Sequence, residues 1–78
     1  MKTKKPKLIG KVTSIADLFN RAATDPQYAQ LAMISAANLG GNCKDLASAR
    51  QWLNCNAMES GSEQGVVDEI NFCRDLVK

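Results

Sequence analysis

The hydrophobic residues of this 78-residue chain fall into four blocks with the three- and four-residue spacing of α-helices. The blocks cover residues 14–24, 25–39, 43–57 and 62–77, and a proline or glycine stands at each boundary between them. Because proline and glycine interrupt helices, this pattern predicts short helices joined by tight turns. We therefore expect an all-α fold, a small four-helix domain of antiparallel-type helices over residues 12–78.

Three of the predicted helices begin with residues that cap helices well. Ser14 followed by Asp17 resembles a capping box in which Asp replaces the usual Glu. Asp25 precedes a proline, which is a favoured first helical residue. In the third helix, Asn42 is the predicted N-cap and Asp45 falls at the third position, where the helix dipole favours a carboxylate.

The second block, residues 25–39, is apolar around most of its circumference. No charged residue occurs between Asp25 and Lys44, and alanines alternate with larger apolar side chains. A helix that is apolar on nearly all sides must be buried on nearly all sides. We expect this helix to be central, covered by the other helices, by a second chain or by both.

Several large side chains fall outside the faces that are predicted to form the core. Trp52 lies about 100° from the inward face of the third helix, and Phe72 and Leu76 form a second face of the fourth helix above Gly65. Tyr28 widens the apolar surface of the second helix. These five residues are the predicted protein interface, since Trp and Tyr often anchor interfaces. The alternative is that a compact bundle covers them internally.

The charge is unequally divided between the two ends of the chain. Residues 12–78 carry a net charge of −3, whereas residues 1–11 carry +5. We interpret residues 1–11 as a flexible lysine-rich arm, and the alternative is an arm that contacts an acidic partner or phosphate. The basic residues of the arm are Lys2, Lys4, Lys5, Lys7 and Lys11.

A helix-turn-helix is the specific motif that the second and third helices resemble in outline. In that case the third helix reads DNA and the arm contacts phosphate. The candidate nucleic-acid contacts are Lys4, Lys5, Lys7, Lys44 and Arg50. The net acidic body and Asp45 on the reading helix make this the weaker alternative.

The residues that usually carry catalysis are missing from the sequence. The chain has no histidine, and its three cysteines (Cys43, Cys55 and Cys73) are scattered. We therefore expect no enzymatic activity, no metal and no cofactor. Cys43 and Cys55 are predicted to lie about 18 Å apart on one helix, so we expect reduced thiols and a cytoplasmic location. No apolar run has the length of a membrane-spanning helix, and no membrane partner is expected.

Taken together, these features predict a small, non-enzymatic protein-interaction module. The expected role is that of a bacterial or phage-type regulator or inhibitor that occupies a protein target. Self-association through the third and fourth helices is expected as well, which makes the chain a homo-oligomer. DNA binding through the third helix and the arm is the alternative.

Overall fold

The computed structural model describes residues 10–76. Its regular structure in that range consists of four helices: α1 (Ile15–Ala22), α2 (Pro26–Asn38), α3 (Leu46–Ser60) and α4 (Glu63–Leu76). The predicted all-α, four-helix fold is confirmed. Most of the predicted lysine-rich arm and Val77, which was predicted on the buried side of the fourth helix, lie outside the described residues.

The predicted cap of α1 is present. The Ser14 hydroxyl accepts a hydrogen bond from the Asp17 backbone N–H at 2.9 Å, and the Asp17 carboxylate accepts one from the Thr13 N–H at 3.0 Å. The Thr13 N–H, followed by the Arg21 guanidinium, lowers the pKa of Asp17. The helix then buries one face, as its spacing predicts: Ile15, Leu18, Phe19 and Ala22.

Helix α2 is the central element, because it packs more extensively against the other three helices than any other helix does. Leu31, Ala32 and Ala36 on this helix are almost completely buried. The absence of side-chain bulk at the two alanines lets neighbouring helices approach closely. A narrow strip that includes Gln30 and Asn38 remains exposed, so the helix is covered on most sides but not on all.

The prediction for the start of α3 is wrong by three residues. Asp45, not Asn42, is the N-cap, and its carboxylate accepts a hydrogen bond from the Ser48 N–H at 2.9 Å. This bond lowers the pKa of Asp45. Both Asn and Asp cap helices well, so the spacing alone did not separate the two registers. The helix also continues to Ser60, three residues beyond the predicted end.

The chain before α1 is fastened along α4. The Asn71 side chain accepts a hydrogen bond from the Val12 N–H at 3.0 Å and donates one to the Val12 carbonyl at 3.1 Å. Three residues later, the Ile15 N–H donates to the Glu63 carboxylate at 2.8 Å. The segment from residue 12 to residue 15 therefore runs antiparallel to α4, and Val12 is buried in the core.

Candidate functional site

The outward side of α4 carries two large apolar side chains that are exposed. Phe72 is 55% exposed and Leu76 is 64% exposed. The two residues are four apart, so they lie next to each other on one side of the helix. We call this surface the α4 outer face and define it by Gly65, Asp68, Phe72, Asp75 and Leu76.

Gly65 extends the α4 outer face without adding bulk. It lies seven residues before Phe72, two turns along the same side, and it is exposed. A Cβ added at Gly65 would meet no atom within 4 Å. Within the described residues, no contact therefore requires a glycine at this position.

Two carboxylates lie along one side of the apolar residues of the α4 outer face. Asp68 is exposed and accepts a hydrogen bond from the Gln64 amide at 2.9 Å, while Asp75 pairs with the Arg74 guanidinium. The Asp75 side chain remains 59% exposed in that pair. The surface thus combines an exposed aromatic ring with two carboxylates, one of which is paired with Arg74.

Trp52 has a place within the chain that its helical position did not predict. The indole is 37% exposed, but its Nε1 donates to the Leu39 carbonyl at 3.2 Å. A Cβ added at Gly41 would lie 2.8 Å from the indole Cδ1 and 2.9 Å from the Ala36 carbonyl oxygen. Trp52 therefore covers the turn that ends α2, and only part of its ring is available to a partner.

The glycine pair at the end of α2 explains how this turn is built. Gly40 has a φ of +87°, and its N–H donates to the Ala37 carbonyl at 3.0 Å. The Gly41 N–H donates to the Ala36 carbonyl at 2.8 Å. These two bonds form a Schellman motif, with the left-handed residue at the position that glycine favours. The first glycine supplies the backbone conformation and the second makes room for Trp52.

The prediction that Tyr28 belongs to the interface is wrong, because the residue is buried. Tyr28 is only 5% exposed. Its hydroxyl donates to the Gly10 carbonyl at 3.2 Å, and the Arg21 guanidinium lies 5.5 Å from the ring centroid. The ring packs in the core because the segment before α1 and the end of α1 cover it, and so it presents no surface to a partner.

Of the five candidate nucleic-acid contacts, two lie within the described residues, Lys44 and Arg50. Lys4, Lys5 and Lys7 lie outside the described residues. Lys44 is exposed, and the Arg50 guanidinium lies over the Phe19 ring at 5.7 Å from its centroid. Seven residues (39–45) connect α2 to α3, whereas a helix-turn-helix uses a turn of three or four.

The structure places one of the three cysteines differently from the prediction. Cys43 precedes α3 instead of starting it, and it lines an open groove beside Trp52 together with Cys55. The two thiols therefore share one surface and are not spaced along a common helix. All three cysteines carry free thiols. Among residues 10–76, no group of three or more His, Cys, Asp or Glu side chains could hold a metal ion.

A polar cluster between α2 and α4, in which Cys73 is buried and Asn38 is exposed, was not predicted from the sequence. The Asn38 amide donates to the Cys73 sulfur at 3.0 Å and to the Glu69 carboxylate at 3.2 Å. The Cys73 thiol is also 3.8 Å from Glu69. A thiol next to a carboxylate and an amide resembles a nucleophilic site, but Cys73 is completely buried, so the cluster links two helices and offers no access to a substrate.

The search for similar proteins gives no further information on the site. No helix within residues 10–76 combines the length and apolarity that crossing a bilayer requires. No protein-family model, no curated protein and no solved structure matches this chain.

Proposed function

We propose that this protein is a small protein-binding module that acts by occupying another protein through its α4 outer face. The role is that of a regulator or inhibitor, and no catalytic step is assigned to it. The single observation that supports this most directly is the exposure of Phe72 and Leu76 on the last described helix. Exposed aromatic side chains next to an aliphatic one are typical of interface centres.

The other large aromatic residues support the same choice of surface. Phe19 and Tyr28 are buried in the core, and Trp52 covers the turn after α2. Phe72 differs because its ring makes no aromatic or cation–π contact with the other described residues, and more than half of the side chain is exposed. Its complete burial by a partner would contribute about 1.5–3 kcal/mol to binding.

The charge of the α4 outer face favours a basic protein partner over nucleic acid or a second copy. Asp68 and Asp75 would repel phosphate groups. In a symmetric pair, the same two carboxylates of both copies would lie in one interface, which opposes association at neutral pH. A different protein with lysine or arginine at the rim of its binding surface avoids both the repulsion of phosphate and the repulsion between two copies.

The test is capture of protein from a lysate of the source cells by the immobilised full chain, compared with Phe72→Asp. The matched control is Met58→Asp, since Met58 is 81% exposed on α3 and receives the same change. We expect Phe72→Asp to weaken binding of the captured protein by about 10- to 100-fold, the equivalent of the lost phenyl burial. Met58→Asp should bind like the wild type.

Circular dichroism of each variant shows whether the helices remain folded. Equal capture of the same protein by Phe72→Asp and wild type would contradict the proposal. So would capture of nucleic acid alone that is lost in Lys44→Glu and that falls steeply with added salt.

A further inference from the structure

Two free thiols line one open groove on the surface of the molecule. Cys43 lies in the connection between α2 and α3 and is half-buried, whereas Cys55 lies on α3 and is exposed. Both border a groove of about 490 Å³ beside Trp52. On a common helix the two cysteines would lie about 18 Å apart, beyond the reach of a disulfide. Because Cys43 precedes α3, that spacing does not apply to the folded chain.

The backbone between the two cysteines sets the distance that a disulfide would have to close. The N-cap Asp45 and Cys55 are ten positions apart along α3, which is about 15 Å. Cys43 comes two residues before Asp45, and two residues span at most about 7 Å. The two Cα atoms are therefore at least about 8 Å apart, whereas a disulfide joins Cα atoms at about 4.4–6.8 Å. A bridge between the thiols thus requires the backbone to move.

The segment that has to move is held by few interactions. No hydrogen bond joins residues 42–44 to another residue in the described part of the chain. The first turn of α3 is capped by the Asp45 carboxylate, which accepts a hydrogen bond from the Ser48 N–H at 2.9 Å. Helix ends fray, and if residues 46–48 leave the helix, the six steps from Cys43 to residue 49 span up to about 20 Å. Cys43 can then reach Cys55 while the rest of α3 stays packed on the core.

We propose that Cys43 and Cys55 are a peroxide-sensitive thiol pair that closes to a disulfide when the first turn of α3 opens. Cys55, the more exposed thiol, reacts first: its thiolate attacks one oxygen of hydrogen peroxide, takes it up as a sulfenic acid and releases hydroxide. The Cys43 thiolate then attacks the Cys55 sulfur, and the sulfenic oxygen leaves as a second hydroxide.

The reaction is balanced by the peroxide alone. The two protons that the thiols lose neutralise the two hydroxide ions, so two thiols and one peroxide give one disulfide and two water molecules. Two electrons pass from the sulfur atoms to the peroxide oxygens. Both cysteines lie outside the α4 outer face, and the oxidation therefore does not depend on the proposed partner surface.

The experiment treats the full, reduced chain with hydrogen peroxide at a low micromolar protein concentration. Remaining thiols are alkylated, and the protein is digested with trypsin and a glutamate-specific protease for mass spectrometry. Cleavage after Lys44, Arg50 and Glu59 places each of the three cysteines in its own peptide. We expect a linked pair of the Cys43 and Cys55 peptides from monomeric protein, which dithiothreitol separates. In Cys43→Ser, the Cys55 sulfenic acid should persist and react with dimedone.

The rate of bridging tests the role of the first turn of α3. Asp45→Ala removes the cap and should speed formation of the disulfide about five-fold, the equivalent of a typical N-cap. The matched control is Ser14→Ala, which removes the cap of α1 and should leave the rate unchanged.

Three results would overturn the inference. The first is that both thiols remain free to alkylation after the peroxide treatment. The second is a bridge found only between two chains, because a second copy then supplies the other sulfur. The third is an equal rate of bridging in Asp45→Ala and wild type, because the opening of α3 would then play no part.

Discussion

Trp52 and Phe72 form a natural comparison, because both fall outside the predicted core faces of their helices. The indole of Trp52 packs on Gly41 and donates a hydrogen bond to the end of α2. Phe72, by contrast, leaves more than half of its side chain exposed. The position on a helical wheel is therefore the same kind of evidence for both residues, yet only one of them is left for a partner.

The difference is made by the backbone opposite each ring. Gly41 lies across from Trp52 and leaves room for its large side chain. Phe72, by contrast, is 55% exposed. A nearby glycine can make room for an aromatic ring within the chain. Such glycines should therefore be checked before an aromatic residue is assigned to an interface.

The largest expected effect on stability separates the two aromatic residues directly. Trp52→Ala should reduce the free energy of unfolding by about 2 kcal/mol, less than a fully buried tryptophan because the indole is partly exposed. Phe72→Ala should change it by less than about 0.5 kcal/mol, as is usual for a surface position. Urea unfolding followed by circular dichroism measures both. Equal losses in the two variants would erase the distinction.

A smaller effect is expected from the two glycines that accompany these rings. Gly41→Ala should destabilise the fold by about 1–2 kcal/mol, because the new Cβ meets the indole and the Ala36 carbonyl at less than 3 Å. Gly65→Ala should stabilise it by about 0.5–1 kcal/mol, since the Cβ lies in open space on a helix. Thermal melting curves of the two variants should shift in opposite directions. A stabilising Gly41→Ala would show that the indole is not held against the turn.

The smallest expected effect concerns pH and the helix that carries Trp52. The folded state lowers the pKa of Asp45 through the Ser48 N–H and the pKa of Asp17 through the Thr13 N–H. A lowered pKa means that the stabilisation is present above the ordinary carboxyl pKa and is lost as the pH falls through the folded value. Stability should therefore decrease on acidification below about pH 4.

The matched variant for the pH experiment is Asp45→Asn, which retains a capping side chain but cannot titrate. Its urea midpoint should fall less between pH 5 and pH 3 than that of the wild type. An identical fall in both proteins would assign the acid sensitivity to other groups.

The helices themselves could be predicted because their signals are local. The cap at Ser14 and the spacing of apolar residues in α1 depend on positions within one turn of each other. The start of α3 could not be fixed in this way, since Asn42 and Asp45 are both good caps. The choice between them depends on the path of the chain after Gly41, where the Trp52 indole, eleven residues later in the sequence, packs on the turn.

The candidate site shows the same limit. The exposed pair on α4 followed from a helical wheel, because more than half of each side chain is exposed. The burial of Tyr28 did not, because it depends on Gly10 and Arg21, which lie in other segments. The adjacent glycines at 40 and 41 were the available signal for Trp52: a single glycine is enough to end a helix, so a second one indicates a close approach.

The pairing of Val12 with Asn71 has a consequence for how the protein is made. These residues are 59 positions apart. The Ile15 N–H at the start of α1 likewise bonds to a residue late in the chain, Glu63. A ribosome synthesises the chain from the amino terminus, so the early residues emerge long before the groups that receive them exist. The hydrogen bonds that hold Val12 can therefore form only after residue 71 has been added, so this part of the fold is completed late in synthesis.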